Sequence, residues 1–409
     1  MSDQWLVGAR LVDGTGADPV DGRDLQVVDG RLAAIGTAPA GADVLDVTGF
    51  TITPGLIDAH VHLGIASPIT ALMAHQLSVA EIAADMFNNA AQTLDAGYTT
   101  VRDTGGIDGG LPKAIALGKV RGPRVLQCGP IQCQTGGHGH LGADWEPTDL
   151  WETHHIPGLC AAAFLSDGVE EMRKNIRETF RRGADFIKMC VTGGVVSNHD
   201  KLTDTQLTVE EIAVAVQEAE ARGTYVTVHA HNNAGVRNAV RAGAKCIEHG
   251  SEIEEETAAL MAANGVAHVP TLTVVEQLLR NVEAVGLPPH IRDRALLVRQ
   301  GQIDGFKASR AAGVKVGLGS DLIGPDQTGR SEELLIRAEL ETPMDALVAA
   351  TRTNSEVLRI AHETGTLEVG KLADLVAWRT DPLENPKTFT EREQAALVLK
   401  AGVVVKDVR

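Results

Sequence analysis

Short runs of β-branched and apolar residues recur along this chain, separated by amphipathic stretches. Eight such runs stand between Thr51 and Asp321: TITPGLIDAHVHL, YTTVRD, RVLQCG, FIKMCVT, TYVTVHA, KCIEHG, AHVPTL and KVGLGSD. Each has the length and composition of a strand on a buried, pleated surface. Between them, VEEMRKNIRETFRRG and VEEIAVAVQEAEARG repeat apolar positions at helical spacing. Strands alternating with helices predict a parallel sheet under helical cover. Eight units fit a (β/α)8 TIM barrel of ~250 residues or more, placed here at 51–364. An open doubly wound sheet is the competing architecture. It would carry a glycine-rich phosphate loop after its first strand, whereas this first strand ends in His60-Val61-His62.

The ends of the chain follow another pattern. LQVVDGRLAAIG places two short apolar runs around Asp29-Gly30, a dipeptide that favours a two-residue hairpin turn. Strand-like runs return after about residue 365, in LADLVAWRT and AALVLKAGVVVKD. Residues 1–50 and 365–409 are therefore expected to pair as a small β-rich domain beside the barrel. The segment from about Leu141 to Ala163, with two tryptophans and His154-His155, lacks periodicity, and long barrel loops usually carry function.

Composition narrows the partners. Acids outnumber bases 54 to 37, for a net charge of −17, which argues against a nucleic-acid surface built on clustered Lys and Arg. No apolar run reaches the ~20 residues of a membrane span, so no membrane partner is expected. The opening MSDQWLVGARLVDGTG lacks the basic-then-apolar order of a signal peptide, and a cytoplasmic location is expected. The five cysteines show no C-x-x-C spacing and read as reduced structural thiols.

Candidate chemistry gathers at the strand ends. His60 and His62 stand two apart in a strand, so both imidazoles face one side and can reach one centre. Two incidental histidines at a strand terminus are the plain alternative. Lys188, His229, His249 and Asp321 each end a later run, on the face where barrel enzymes build their sites. A lysine inside an apolar strand must lose its charge, find carboxylates or snorkel to the rim. If carbon dioxide adds to the Lys188 amine, the resulting carbamate can bridge two metals ~3.5–4 Å apart. His229 and His249 would supply neutral nitrogens to a second metal. Asp321 would bind the first and accept a proton, unless it merely caps a helix. Gly193-Gly194-Val195-Val196-Ser197 would let backbone amides approach a substrate, and Arg102-Asp103 would orient a ligand or hold a rim salt bridge.

PGLIDAHVHLG, DGVEEMRKNIRETFRRGADFIKMCVTGGVVSNHD, VHAHN, IEHGSEI, GLGSD and GTLEVGKLADLVAW occur in one order across nearly the whole chain. By these phrases the chain resembles the amidohydrolase superfamily, in its branch of Xaa-Pro dipeptidases and imidazolonepropionase-like hydrolases. The resemblance implies a barrel with a small β-sandwich formed by the two ends, and two divalent metals, zinc or else manganese or cobalt. It implies that His60, His62 and Asp321 hold the first metal, that His229 and His249 hold the second, and that carbamylated Lys188 bridges them. It also implies that His138 hydrogen-bonds the scissile carbonyl, and that proteins of this kind often associate as homo-oligomers. His140 stands where an acid is commoner, and His231 where the dipeptidases often carry a tyrosine that touches the substrate carboxylate. Both, with Gly194 and Ser197, are the expected substrate contacts.

The expected activity is hydrolysis of a small-molecule amide or peptide bearing a carboxylate, such as a dipeptide or N-acyl amino acid, by a hydroxide held between the metals. A xenobiotic amide or carbamate, or a cyclic amide, would also fit. A mononuclear imidazolone hydrolase or deaminase would lack the bridging lysine, and a non-catalytic binding protein would have lost ligands.

Overall fold

The computed structural model describes residues 3–68, 71–72, 76–142, 145–148, 155–160, 162–197, 199–285 and 289–409. A two-residue turn organises the start of the chain. Asp29 and Gly30 both take positive φ, 50° and 80°, as a tight hairpin requires. They join the antiparallel strands Asp24–Val28 and Arg31–Gly36, and Asp3–Val7 and Val44–Asp46 complete a four-stranded sheet. The tail supplies most of a second sheet, in which Leu375–Trp378, Ala395–Lys400 and Val403–Asp407 run antiparallel. Leu6, Leu25, Leu32, Ile52, Leu375 and Leu397 form one apolar cluster drawn from both sheets. Residues from both ends of the chain thus share one apolar cluster.

The run TITPGLIDAHVHL, read from the sequence as one strand, is two. Thr51–Pro54 pairs with Leu375–Trp378 in the tail's sheet, whereas Leu56–Val61 runs parallel to Tyr98–Asp103. The chain changes sheets at Gly55, where a Cβ would lie 2.2 Å from Thr99 Oγ1. The third run, RVLQCG, is followed by a strand the sequence reading did not count. Arg124–Gln127 pairs with Tyr98–Asp103, while a separate strand, Ile131–Cys133, pairs with Ala163–Leu165 and Ile187–Cys190. Ile187–Cys190, Val226–Ala230, Cys246–His249 and Ala267–Val269 then follow side by side in parallel.

Lys315–Asp321 is not a regular strand, but it is hydrogen-bonded on both sides. Val316 bridges His268 in parallel, and the Gly317 N–H donates to His268 O at 2.8 Å. Across from these, the Ala59 N–H donates to Leu318 O at 2.9 Å and the Asp321 N–H to His60 O at 2.8 Å. Gly319 permits the approach, since a Cβ there would lie 2.6 Å from His60 Cβ. The last run thus bonds to both the first and the seventh.

The amphipathic stretches form the helices Val169–Arg181 and Val209–Glu220. Thr208 and Glu211 cap the second reciprocally, each side chain accepting the other's backbone N–H. Met172, Ile176, Ile212 and Ala215 pack on Ile187, Met189, Val226 and Val228 in the largest apolar cluster, so the chain has a mixed α/β fold with helices laid against parallel strands. Among the described residues no helix is long and apolar enough to cross a membrane. Much of the aperiodic segment near 141–163, His154 included, lies outside the described residues.

Candidate metal centre

The strand Leu56–Val61 delivers two imidazoles to one side, and each is held by its Nδ1. His60 Nδ1 lies 2.8 Å from Glu248 Oε2, and His62 Nδ1 lies 2.8 Å from Gly105 O. With the hydrogen on Nδ1, facing these acceptors, each neutral ring has a bare Nε2 for a cation, whereas a ring charged beside Asp321 would donate to it from Nε2. These Nε2 atoms converge on one oxygen: His60 Nε2 and His62 Nε2 lie 3.2 and 3.1 Å from Asp321 Oδ1. His249 Nδ1 is 3.6 Å from Asp321 Oδ2 and 2.7 Å from the Thr271 hydroxyl. Ligand atoms of His60, His249 and Asp321 all lie within 4.8 Å of one another. Three lone-pair donors facing one another repel unless a cation or proton stands between them. This is the donor set a divalent metal takes.

His229 continues the cluster. Its ring is 4.6 Å from that of His249, and its Nε2 meets Gly193 O at 3.2 Å, which leaves Nδ1 for a ligand. Burial, which outweighs Asp321 at His249 and is aided at both by nearby imidazoles and Lys188, drives His229 and His249 well below the ordinary histidine range, so both are neutral, the form that binds metal. Lys188 lies beneath them, 2% exposed, and its ammonium makes no hydrogen bond or ion pair with the described residues.

Two strand-end residues of the cluster, His249 (φ 72°) and Asp321 (φ 55°), adopt the left-handed region, and so does Thr271 (φ 53°), which holds His249. Non-glycine residues seldom do so, and such strain gathers at functional sites.

Sequence reading did not find the layer under the imidazoles. Glu248 is fully buried, accepting from His60, from Arg102 Nη2 at 2.6 Å and from the Thr227 hydroxyl. Burial pushes the Glu248 carboxyl up, but Arg102, Lys188 and His60 outweigh this and hold it well below the usual range. The same balance, set by His60 and His62, keeps Asp321 ionised. Arg102 is therefore structural, as an interior partner and not a rim salt bridge. Asp103 accepts the Leu63 and Gly105 N–H groups beside His62, and burial raises it to about 7. An acid inside the all-buried run CIEH was the available signal for Glu248, by the argument that singled out Lys188.

The expected substrate contacts divide. His138 stacks on His229, ring centres 4.2 Å apart, and its ring covers Gly194, where a Cβ would lie 2.1 Å from Cε1. Gly194 thus makes room for this imidazole. His231 stacks on His249 and places Nδ1 2.6 Å from the Ser251 hydroxyl; burial lowers it to about 3, so it is neutral. Ser197 is engaged with His138 and Asp200. His140 turns aside from these rings, accepting the Gly136 N–H at 3.0 Å and lying 6.0 Å from the His199 ring.

Known proteins share this framework. A model of the amidohydrolase family matches residues 51–405. The chain is 31% identical to an ochratoxinase of Aspergillus niger over 419 residues, 98% of this chain and 86% of the relative. It is similar to the crystal structure of a prolidase complexed with N-methylphosphonate-L-proline, at 33% identity and a TM-score of 0.93, covering 99% of this chain and 100% of the other. It is also similar to a Xaa-Pro dipeptidase with methionine bound in its active site, at 28% identity and a TM-score of 0.86, with the same coverage.

Proposed function

This chain belongs to the amidohydrolase family, hydrolases of C–N bonds, and we propose that it is a binuclear amide hydrolase whose substrate bears a carboxylate. The observation that carries this reading is the convergence of two imidazole Nε2 atoms on one Asp321 oxygen, with a buried lysine that has no hydrogen-bond partner among the described residues close by. In this reading the parallel strands and Lys315–Asp321 close as a (β/α)8 barrel, supported by the hydrogen bonds on both sides of that segment. The paired terminal sheets form the small β-sandwich, supported by their shared apolar cluster.

His60, His62 and Asp321 would hold one divalent ion, His229 and His249 a second, and carbamylated Lys188 would bridge them. Zinc suits this nitrogen and carboxylate set, with manganese or cobalt as alternatives. Such ions would supply Lewis acidity toward the carbonyl and lower the pKa of a bound water to about 7. Asp321 takes the proton released as water attacks and returns it to the leaving nitrogen. His138, pinned between Gly194 and His229, borders the substrate. His231 presents a neutral imidazole to the substrate's acid group. The likeness to a prolidase bound to a proline phosphonate and to a Xaa-Pro dipeptidase supports an amide ending in an amino acid.

The test combines metal stoichiometry with turnover. Zinc- or manganese-loaded protein should contain about two ions per chain and hydrolyse members of a panel of dipeptides and N-acyl amino acids. Lys188→Ala should abolish turnover and reduce the metal content. One ion per wild-type chain, or near-normal turnover in that variant, would remove the binuclear reading.

A further inference from the structure

Beside the metal ligands runs a polar chain that the proposed hydrolysis does not use. His138 Nδ1 lies 3.1 Å from the Ser197 hydroxyl, and Ser197 hydrogen-bonds to Asp200 Oδ1. Asp200 Oδ1 also accepts the Gly194 N–H at 3.2 Å, and Oδ2 accepts from Gln206 Nε2 at 2.9 Å. Gln206 closes the circuit, its Oε1 accepting the His138 N–H at 3.1 Å. Ser197 and Asp200 are both buried, where a carboxylate persists only if donors surround it. Here each of these partners of Asp200 is a donor.

That arrangement fixes the proton positions. A hydroxyl carries one hydrogen, and the carboxylate takes it, so the Ser197 oxygen can only accept from the histidine. His138 Nδ1 must then be the donor. The ring cannot easily turn away, because it covers Gly194 and stacks on His229. The loop itself is held from outside by Arg294, on the helix Pro289–Ala311. Its guanidinium donates to Gly194 O at 3.1 Å, to Ser197 O at 2.8 Å and to Asp200 O. One side chain thus binds three carbonyls of the segment that carries the serine and the acid.

We propose that Asp200 and Ser197 are positioning residues that hold His138 as the Nδ1–H tautomer, so that the neutral ring meets the substrate with an unprotonated Nε2. At that atom His138 accepts a hydrogen bond, from a substrate N–H or from water, where the family resemblance implied donation to the scissile carbonyl. The inference rests on the reading of His138 as a residue that borders the substrate, and the two can fail separately.

The test uses the full-length, zinc-loaded protein labelled with ¹⁵N-histidine. Two-bond ¹H–¹⁵N correlation reports which ring nitrogen carries hydrogen, and the His138 signals are assigned by their loss in His138→Gln. Wild type should show a protonated Nδ1 and a bare Nε2. Ser197→Ala should lose that pattern, and Ser197→Thr, which keeps the hydroxyl, should retain it. With any amide turned over, Ser197→Ala should lower kcat by ~10–100-fold, the range for removing an outer partner of a site group, with KM and zinc content held. In a His138→Ala background it should have no further effect. A wild-type Nε2–H tautomer, or a Ser197→Ala spectrum and kcat matching wild type, would overturn the proposal. Wild-type turnover in His138→Ala would instead overturn the placement of His138 at the substrate.

Discussion

The histidine-lined ends of the parallel strands and the core between the terminal sheets are both buried, yet they are built in opposite ways. Between the sheets the contacts are apolar, with Leu25, Leu32 and Leu397 at 0–1% exposure. Beneath the histidines the buried residues are Asp58, Arg102, Lys188 and Glu248. Positive φ separates the regions too. Among non-glycine residues of the terminal sheets it occurs at Asp29 and Ala401, each followed by a glycine in a turn between paired strands. In the site it occurs at the strand ends, at His249 and Asp321. The terminal core needs only volume and pattern. The site needs directed atoms, so strain of ~1–3 kcal/mol per residue is tolerated where the surroundings over-determine the geometry.

Breaking each region should therefore give different phenotypes. Glu248→Ala has the largest expected effect, because it strands the Arg102 guanidinium in the interior. It should cost ~3–5 kcal/mol of unfolding free energy and weaken zinc binding ~10–100-fold through the freed His60 ring. Leu397→Ala should cost about 3 kcal/mol in a denaturant titration with kcat and zinc content unchanged. A loss of zinc in that variant would show that the regions are not separable. Next in size is removal of the metal. If zinc is present at a hundredfold its Kd, chelation should lower stability by about 2.7 kcal/mol. The same decrement is expected in Leu397→Ala, since distant sites add, and a much smaller one in Glu248→Ala.

The contrast also accounts for what could be read from the sequence. The Asp29-Gly30 turn and the helices Val169–Arg181 and Val209–Glu220 were legible because local pattern decides them. His60, His62, Lys188, His229, His249 and Asp321 were legible because a polar side chain ending an apolar run is costly to bury without an ion or a hydrogen-bond partner to hold it. The division at Gly55 and the extra strand Ile131–Cys133 were not, since hydropathy marks a strand without naming its sheet, and a three-residue run is too short to stand out. Nor were the supports of the site. Arg294 lies on a helix about a hundred residues from the carbonyls it binds, and a charged helical residue ordinarily reads as a solvated face. Ser197 was expected at the substrate, but its bond to His138 and the part of Asp200 were not legible, since both sit in a loop, where sequence gives no periodicity to aim a side chain.

A third region sharpens the comparison with the smallest expected effect. Glu218, on the helix Val209–Glu220, gathers Arg173, Arg177 and Arg222, at 2.8–3.0 Å. The Arg177 hydrogen bond leads in holding its carboxyl at about 2, against an ordinary 4.5. A carboxylate depressed on folding stabilises the native state above its unfolded pKa, and that contribution disappears as pH falls from 4.5 toward 2. The arginines are partly exposed, so the pairing is worth ~1 kcal/mol or less. Glu218→Gln should lose that amount at pH 7, and the difference from wild type should shrink steadily below pH 4.5, with kcat and zinc content unaffected throughout. A penalty independent of pH would mean that Glu218 acts through packing. A parallel loss of zinc would mean that helix charges reach the strand ends.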